Sequence, residues 1–455
     1  MTRTSADVVV LGGGPGGYAT ALRSAQLGLS VILVEEGEVG GTCLHRGCIP
    51  TKALLHAAEI ADNARAAAQF GVNATFDGVD PQQLHAYKDS VVARLHKGLQ
   101  ALLPAQGVTV INGRGRLTGP NTVDVAGQTV TGGAIVLATG SAPKPLPGIE
   151  PGDRVITSDE ALELRSIPRR AVILGGGVIG VEFASLWASF GTAVTVVEAE
   201  PRLVPHEDEA VSKHLERAFR RRKITAKTGV RVTGVEQTDE GVAVTLENGA
   251  VIEADLLLVA VGRVPRTDGL EAAGITLERG FVVTDDRLRT TVPTVYAVGD
   301  IVAGTQLAHR AFQQGIFVAE VLAQRNPDPI DETGIPRVTY SRPEIASVGL
   351  TENQARIRFG DNVETASHDL AGNGKSQILK TSGTVKLVLA PSGAVVGIHL
   401  VGERVGELIG EAQLIYNLQI KPGEAAKFVH AHPTQNEALG EALMAAAGMP
   451  LHGHG

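Results

Sequence analysis

Asp7-Val8-Val9-Val10-Leu11-Gly12-Gly13-Gly14-Pro15-Gly16-Gly17 is the stretch on which the fold turns. Its first five residues are a short, nearly continuous apolar run, the pattern of a parallel strand covered on both faces. Gly12, Gly14 and Gly17 follow at G-x-G-x-x-G spacing. A helical stretch from Tyr18 to Leu27 comes next and is ended by Gly28. A second strand pattern, Ser30 to Val34, then leads to Glu35. Together these make a strand–helix–strand unit of about 30 residues, the usual size of one.

The same order returns later in the chain. Ala171-Val172-Ile173-Leu174 runs into Gly175, Gly177 and Gly180. A helical segment from Val181 to Phe190 ends at Gly191, and Ala193 to Val197 leads to Glu198. One such motif is weak evidence. Two, each set between strand and helix and each followed by an acid, point firmly to two dinucleotide-binding units. The first glycine permits a sharp turn, the second admits a pyrophosphate, and the third lets helix pack on strand. The helix N-terminus turns its positive dipole end toward the anion, and Glu35 and Glu198 are placed to accept ribose hydroxyls.

Composition excludes other classes. The chain has 455 residues, 43% of them hydrophobic and 20% charged, as expected of a globular protein of about three domains. Its net charge of -8 argues against nucleic acid as a partner. The basic run Arg220-Arg221-Arg222-Lys223 reads as a solvated helix face. No apolar stretch approaches the ~18 residues of a membrane span, and the first residues carry no signal-peptide pattern, so a cytoplasmic setting is expected.

There are two cysteines, Cys43 and Cys48, in Gly40-Gly41-Thr42-Cys43-Leu44-His45-Arg46-Gly47-Cys48-Ile49-Pro50-Thr51-Lys52. A structural disulfide is improbable in a reducing compartment, and two thiolates alone make a poor zinc site, so no metal is expected and redox chemistry is the better reading. Five steps of regular helix rise about 7.5 Å, beyond the ~6.8 Å limit for Cα atoms of a disulfide. The backbone between the cysteines must therefore be distorted. Pro50 suits a first helical turn, which puts Cys48 at a helix N-terminus where the dipole favours thiolate. Lys52 lies one turn on and adds positive charge.

The stretch from Gly40 to Lys52 resembles the active-site motif of the pyridine nucleotide-disulfide oxidoreductases, class I. The resemblance covers nearly the whole chain. It continues through Ala138-Thr139-Gly140-Ser141, the second glycine motif, and Thr291 to Asp300. It implies two Rossmann-like α/β domains and a C-terminal α+β dimerisation domain. The implied boundaries are 1–147 for the first part of an FAD-binding domain, 148–268 for an NAD-binding domain, 269–336 for the FAD-domain continuation, and 337–455 for the interface domain. It also implies that Gly12, Gly14, Gly17, Glu35, Lys52, Gly115, Thr139, Gly140, Ser141, Asp300, Leu307, Ala308 and His309 hold FAD. Gly175, Gly177, Gly180, Glu198, Val232 and Gly262 correspondingly hold NAD.

The segment His430-Ala431-His432-Pro433-Thr434-Gln435-Asn436-Glu437 is similar to the family's acid–base segment. The resemblance makes His432 the base, Glu437 its orienting partner, His430 the lesser candidate, and Glu182 the partner of Lys52. It further implies a homodimer in which His432 serves the disulfide of the other subunit. Within the family the chain is most similar to the members that oxidise protein-bound dihydrolipoamide with NAD in 2-oxoacid dehydrogenase or glycine cleavage complexes. Glu198 repels a ribose phosphate, although Arg202 is near. No second cysteine pair stands at the C-terminus, which argues against the mercury reductases. His45, Arg46 and Arg266 depart from the common pattern. The rival readings are an NAD(P)H-dependent reductase of another small disulfide and a flavoprotein scaffold without turnover. Past Gly448 a disordered tail is expected, with His452 and His454 as tail residues rather than ligands.

Overall fold

The protein is described by a computed structural model covering residues 4–452, so His454 lies outside the described residues. The chain is mixed α/β. Ser5–Leu11 forms a strand whose last four residues are almost wholly buried. Parallel partners lie on both sides, with Val8 opposite Val31 and Ala134, and Leu11 opposite Val34 and Leu137. Burial on both faces explains why the run reads as continuous rather than alternating. The sheet runs Thr109–Asn112, Val31–Glu35, Ser5–Leu11, Gln128–Leu137, Thr122–Val125, Gly115–Gly119. Val295–Ala297 also pairs in parallel with Gln128–Leu137, so a distant segment of the chain returns to complete this layer.

The second unit repeats the first. Its five strands are ordered Thr225–Thr228, Ala193–Glu198, Arg170–Leu174, Leu256–Val259 and Val155–Ile156, all parallel. The third glycines do the same work in both units. A Cβ at Gly17 would lie 1.8 Å from the Gly12 carbonyl oxygen, and one at Gly180 would lie 1.9 Å from that of Gly175. Only glycine lets the helices Pro15–Gln26 and Val178–Ser189 pack this close to the preceding turn.

A two-stranded ribbon, Ser141–Pro143 against Arg263–Pro265, carries the chain between the units. The C-terminal layer is a five-stranded antiparallel sheet, ordered Arg337–Thr339, Glu344–Gly349, Val395–Gly402, Thr384–Leu389, Glu364–Asp369. Helices Val405–Asn417 and Glu437–Ala446 bury Leu408, Ala412, Leu439 and Leu443 with its strands.

Two expectations change. Arg222 does not belong to a solvated face. It caps the helix Glu209–Arg221, and its guanidinium donates to Ser189 Oγ, Asp62 and the Ser185 carbonyl. Nη1 also donates to the Arg342 carbonyl, while Arg220, Arg221 and Lys223 stay exposed. The tail is also docked as far as His452, whose Nδ1 donates to Glu441 at 2.7 Å. No helix among the described residues is long and apolar enough to cross a membrane.

Candidate active site

The helix that carries Cys48 is set by its packing. Leu54 and Ala58 of Cys48–Ala66 are buried in one cluster with Phe183, Ala184 and Trp187 of Val178–Ser189. Burying a side chain the size of Leu or Phe contributes about 1.5–3 kcal/mol, so the two helices are held firmly together. That contact places Lys52 against Glu182. Lys52 Nζ donates to both carboxylate oxygens, at 2.9 and 2.7 Å. Glu182 also accepts the Tyr340 amide at 2.9 Å, and the Tyr340 ring lies 4.9 Å from Nζ. Burial works against the Lys52 charge, but Glu182 outweighs it and the pKa is raised. The Lys52 side chain is nevertheless about one-third accessible, at 32%, because it borders a cavity.

The backbone distortion required between the cysteines is present. Gly41–Arg46 is a short helix, Gly47 breaks it, and Cys48 begins the next. Both thiols are free. The neighbouring Cys43 thiol lowers the Cys48 pKa to about 7 against burial, with Lys52 helping and Glu182 opposing. The same neighbour effect, together with burial, pushes the Cys43 thiol up. Of the two thiols, Cys48 is the one more readily ionised. The short helix also leans on the first glycine loop. Gly41 has φ +60°, and a Cβ there would lie 2.6 Å from the Gly14 Cα. Glycine at this point keeps the redox pair beside the loop.

A cavity of about 1370 Å³ joins these parts, larger than the ~300–1,000 Å³ of ordinary ligand pockets. Cys43, Cys48, Lys52 and Glu182 border it. So do Gly12, Gly14, Glu35, Gly115, Thr139, Gly140, Ser141, Asp300, Leu307, Ala308 and His309. Gly17 does not, being packed behind the turn. The residues fit a bound dinucleotide. A Cβ at Gly14 would meet nothing closer than 3.9 Å, so the loop is open where a phosphate approaches. Glu35 accepts the Gly13 amide through Oε2 and the Gly37 amide through Oε1, which leaves lone pairs for ribose. Ser141 Oγ donates to Asp300 and accepts from Arg263 Nε.

The second loop is built alike. Glu198 accepts the Gly176 and Glu200 amides, at 2.6 and 2.8 Å. A Cβ at Gly177 would meet nothing within 4 Å. Gly175, Gly177, Gly180, Glu198, Val232 and Gly262 do not border the large cavity, but Val178, Ile179 and Phe183 on the adjoining helix do. Arg202 donates to the Pro205 and Glu207 carbonyls, at 2.7 and 2.9 Å. It therefore makes its bonds to its own loop.

His432 and Glu437 lie elsewhere. His432 Nδ1 donates to Glu437 Oε1 at 2.8 Å, and Thr434 N donates to Oε2 at 2.7 Å. Burial raises the Glu437 pKa, but the Thr434 amide and His432 bring it below the ordinary value. The Nδ1 bond leaves Nε2 to act on a substrate. The His432 side chain is 75% exposed, and neither residue borders the cavity. His430 is tied to Glu411 at 2.9 Å. Sequence reasoning missed Tyr340 and the Arg263–Ser141 bond. The first sits at a strand end with no motif around it. The second depends on a ribbon that joins residues more than a hundred positions apart.

Residues 6–315 match the family described as pyridine nucleotide-disulphide oxidoreductase, and residues 335–443 match its dimerisation domain. A dihydrolipoyl dehydrogenase of Bacillus subtilis is 39% identical over 99% of both chains, and one of Chlorobaculum tepidum is 41% identical over 96% of both. The crystal structure of LpdA from Mycobacterium tuberculosis superposes with a TM-score of 0.90 at 28% identity, covering 97% of this chain and 99% of that one. The HOCl-induced flavoprotein disulfide reductase RclA of Escherichia coli gives 0.85 at 27%, covering 96% and 99%. With two glycine loops, a free cysteine pair between them and these matches over nearly its full length, the chain belongs to the pyridine nucleotide-disulphide oxidoreductase family, whose cofactors are FAD and NAD.

Proposed function

We propose that this protein oxidises dihydrolipoamide to lipoamide and passes the electrons through Cys43 and Cys48 to NAD. The observation that carries this reading is the cavity in which the cysteine pair, the Lys52–Glu182 ion pair and the first glycine loop meet. The identity of about 40% to dihydrolipoyl dehydrogenases over the whole chain supports the choice of substrate.

The reaction begins with Cys43 and Cys48 joined as a disulfide. His432 takes the proton of one dihydrolipoamide thiol, and the thiolate so formed attacks the Cys43 sulfur. The S–S bond breaks, and Cys48 leaves as the thiolate that its lowered pKa favours. The second substrate thiol attacks the substrate sulfur of the mixed disulfide, the bond to Cys43 breaks, and the proton passes to the departing Cys43, whose raised pKa favours the thiol. Lipoamide is released, and the two electrons remain on the cysteine pair. Glu437 holds the His432 ring through Nδ1 and stabilises the imidazolium that forms. Lys52, fixed by Glu182, holds positive charge beside the Cys48 sulfur. FAD, when bound, supplies the two-electron relay from the reduced pair to NAD. Gly12, Gly14, Gly17, Glu35, Gly115, Thr139, Gly140, Ser141, Asp300, Leu307, Ala308 and His309 would hold it. Gly175, Gly177, Gly180, Glu198, Val232 and Gly262 would hold NAD, with Glu198 opposing a ribose phosphate.

His432 serves the cysteine pair of a second subunit. The match of residues 335–443 to a dimerisation domain and the exposure of His432 support this arrangement. The boundaries 147/148, 268/269 and 336/337 describe the working units, and lipoyl-bearing subunits of 2-oxoacid dehydrogenase or glycine cleavage complexes are the partners. Absorbance of NADH formed from dihydrolipoamide and NAD tests the reading. Wild-type turnover that disappears in Cys48→Ser while flavin stays bound is expected. A wild-type enzyme that holds flavin but forms no NADH would contradict it.

A further inference from the structure

Glu38, His45 and His96 come from three separate segments. His45 sits in the short helix between the cysteines, Glu38 precedes that helix, and His96 lies on the long helix Pro81–Ala105. One ligand atom from each lies within 4.8 Å of the others. Glu38 Oε2 is 3.5 Å from His45 Nδ1 and 3.9 Å from His96 Nδ1. Ligand atoms at the ~2.0–2.1 Å of a tetrahedral zinc stand about 3.4 Å apart, so the first pair already has the required spacing. The second needs about half an ångström, which rotation of the exposed Glu38 side chain can supply.

The histidines are prepared for the role. His45 Nε2 lies 2.9 Å from the Val39 carbonyl, which can only accept, so Nε2 carries the proton. Nδ1 then offers its lone pair toward Glu38. A backbone carbonyl on the far nitrogen is the outer-shell arrangement that metal-binding histidines use. The His45 and His96 rings pack edge to face with centroids 5.0 Å apart, and both side chains are mostly buried. A space of about 270 Å³ adjoins all three residues and leaves room for a water as fourth ligand. Lys88 borders the same space, but Asp89 and Glu163 offset its charge at 3.1 and 2.7 Å.

We infer that Glu38, His45 and His96 form a site for a divalent transition-metal ion of the Zn²⁺ class, with one coordination position open. No sequence spacing announces it, because the three ligands come together only in the fold. His45 is two residues from Cys43, so a bound ion ties the redox helix to the helix Pro81–Ala105. The inference stands apart from the dihydrolipoamide reading.

The test uses the oxidised, FAD-loaded protein, in which the disulfide removes both thiols as competing ligands. Equilibrium dialysis against micromolar Zn²⁺ compares wild type with His96→Ala and Glu38→Gln, and flavin absorbance and thermal melting confirm that the variants are folded. One ion per wild-type chain is expected. Affinity should fall at least about 100-fold in each variant, more than loss of an outer-shell partner costs. A wild-type chain that binds no ion, or either variant binding as tightly as wild type, would overturn the site.

Discussion

The cysteine pair and the histidine–glutamate pair occupy opposite surroundings. Cys43 and Cys48 border a large cavity, and a neighbouring thiol and Lys52 tune Cys48. His432 projects into solvent and is held by Glu437. A half-buried thiolate beside Lys52 is pre-charged, but its substrate's proton still needs a base at the entrance. In the proposed mechanism His432 is that base, and it lies away from the cavity of its own chain. The difference makes sense when the exposed pair of one subunit completes the half-buried pair of another.

The largest expected effect is on the cavity-lining half. Cys48→Ser should reduce NADH formation to background while flavin remains bound, as read by absorbance and turnover in parallel. Residual turnover at a substantial fraction of wild type would place the electron path elsewhere. On the exposed half, His432→Ala should lower kcat/KM by about 10²- to 10⁴-fold, the range for a lost general base. A loss below about tenfold would make His432 a surface residue like any other. Glu437→Gln removes a charged hydrogen bond worth about 1.5–3 kcal/mol, so a further step down, to a loss of about 10- to 100-fold, is expected.

The smallest effect concerns tuning. The neighbouring Cys43 thiol is the largest influence lowering the Cys48 pKa to about 7. In Cys43→Ala the sole thiol should titrate higher, so alkylation at neutral pH should slow and its pH midpoint should rise. An unchanged midpoint would assign the shift to Lys52 and the helix end instead.

Much of this was legible in the residue order, because the signals are local. The glycine loops read correctly since turn, phosphate approach and helix packing are settled within six residues, as the Gly17 and Gly180 contacts show. The broken helix between Cys43 and Cys48 followed from the rise of a helix alone. Lys52 with Glu182 required the resemblance, because packing of two helices brings them together. Tyr340, Arg263 and the inward turn of Arg222 were not legible. Each depends on where a distant segment returns, and no spacing in the chain records that. The docking of His452 on Glu441 is of the same kind.

Subunit exchange tests the central claim most directly. Cys48→Ser and His432→Ala proteins, each nearly inactive, are mixed under conditions where exchange is verified, and NADH formation from dihydrolipoamide is followed. A hybrid dimer pairs one intact cysteine pair with one intact His432 in a shared site, so partial activity should return. No recovery after proven exchange would mean that the two halves belong to one chain, and the account would be contradicted.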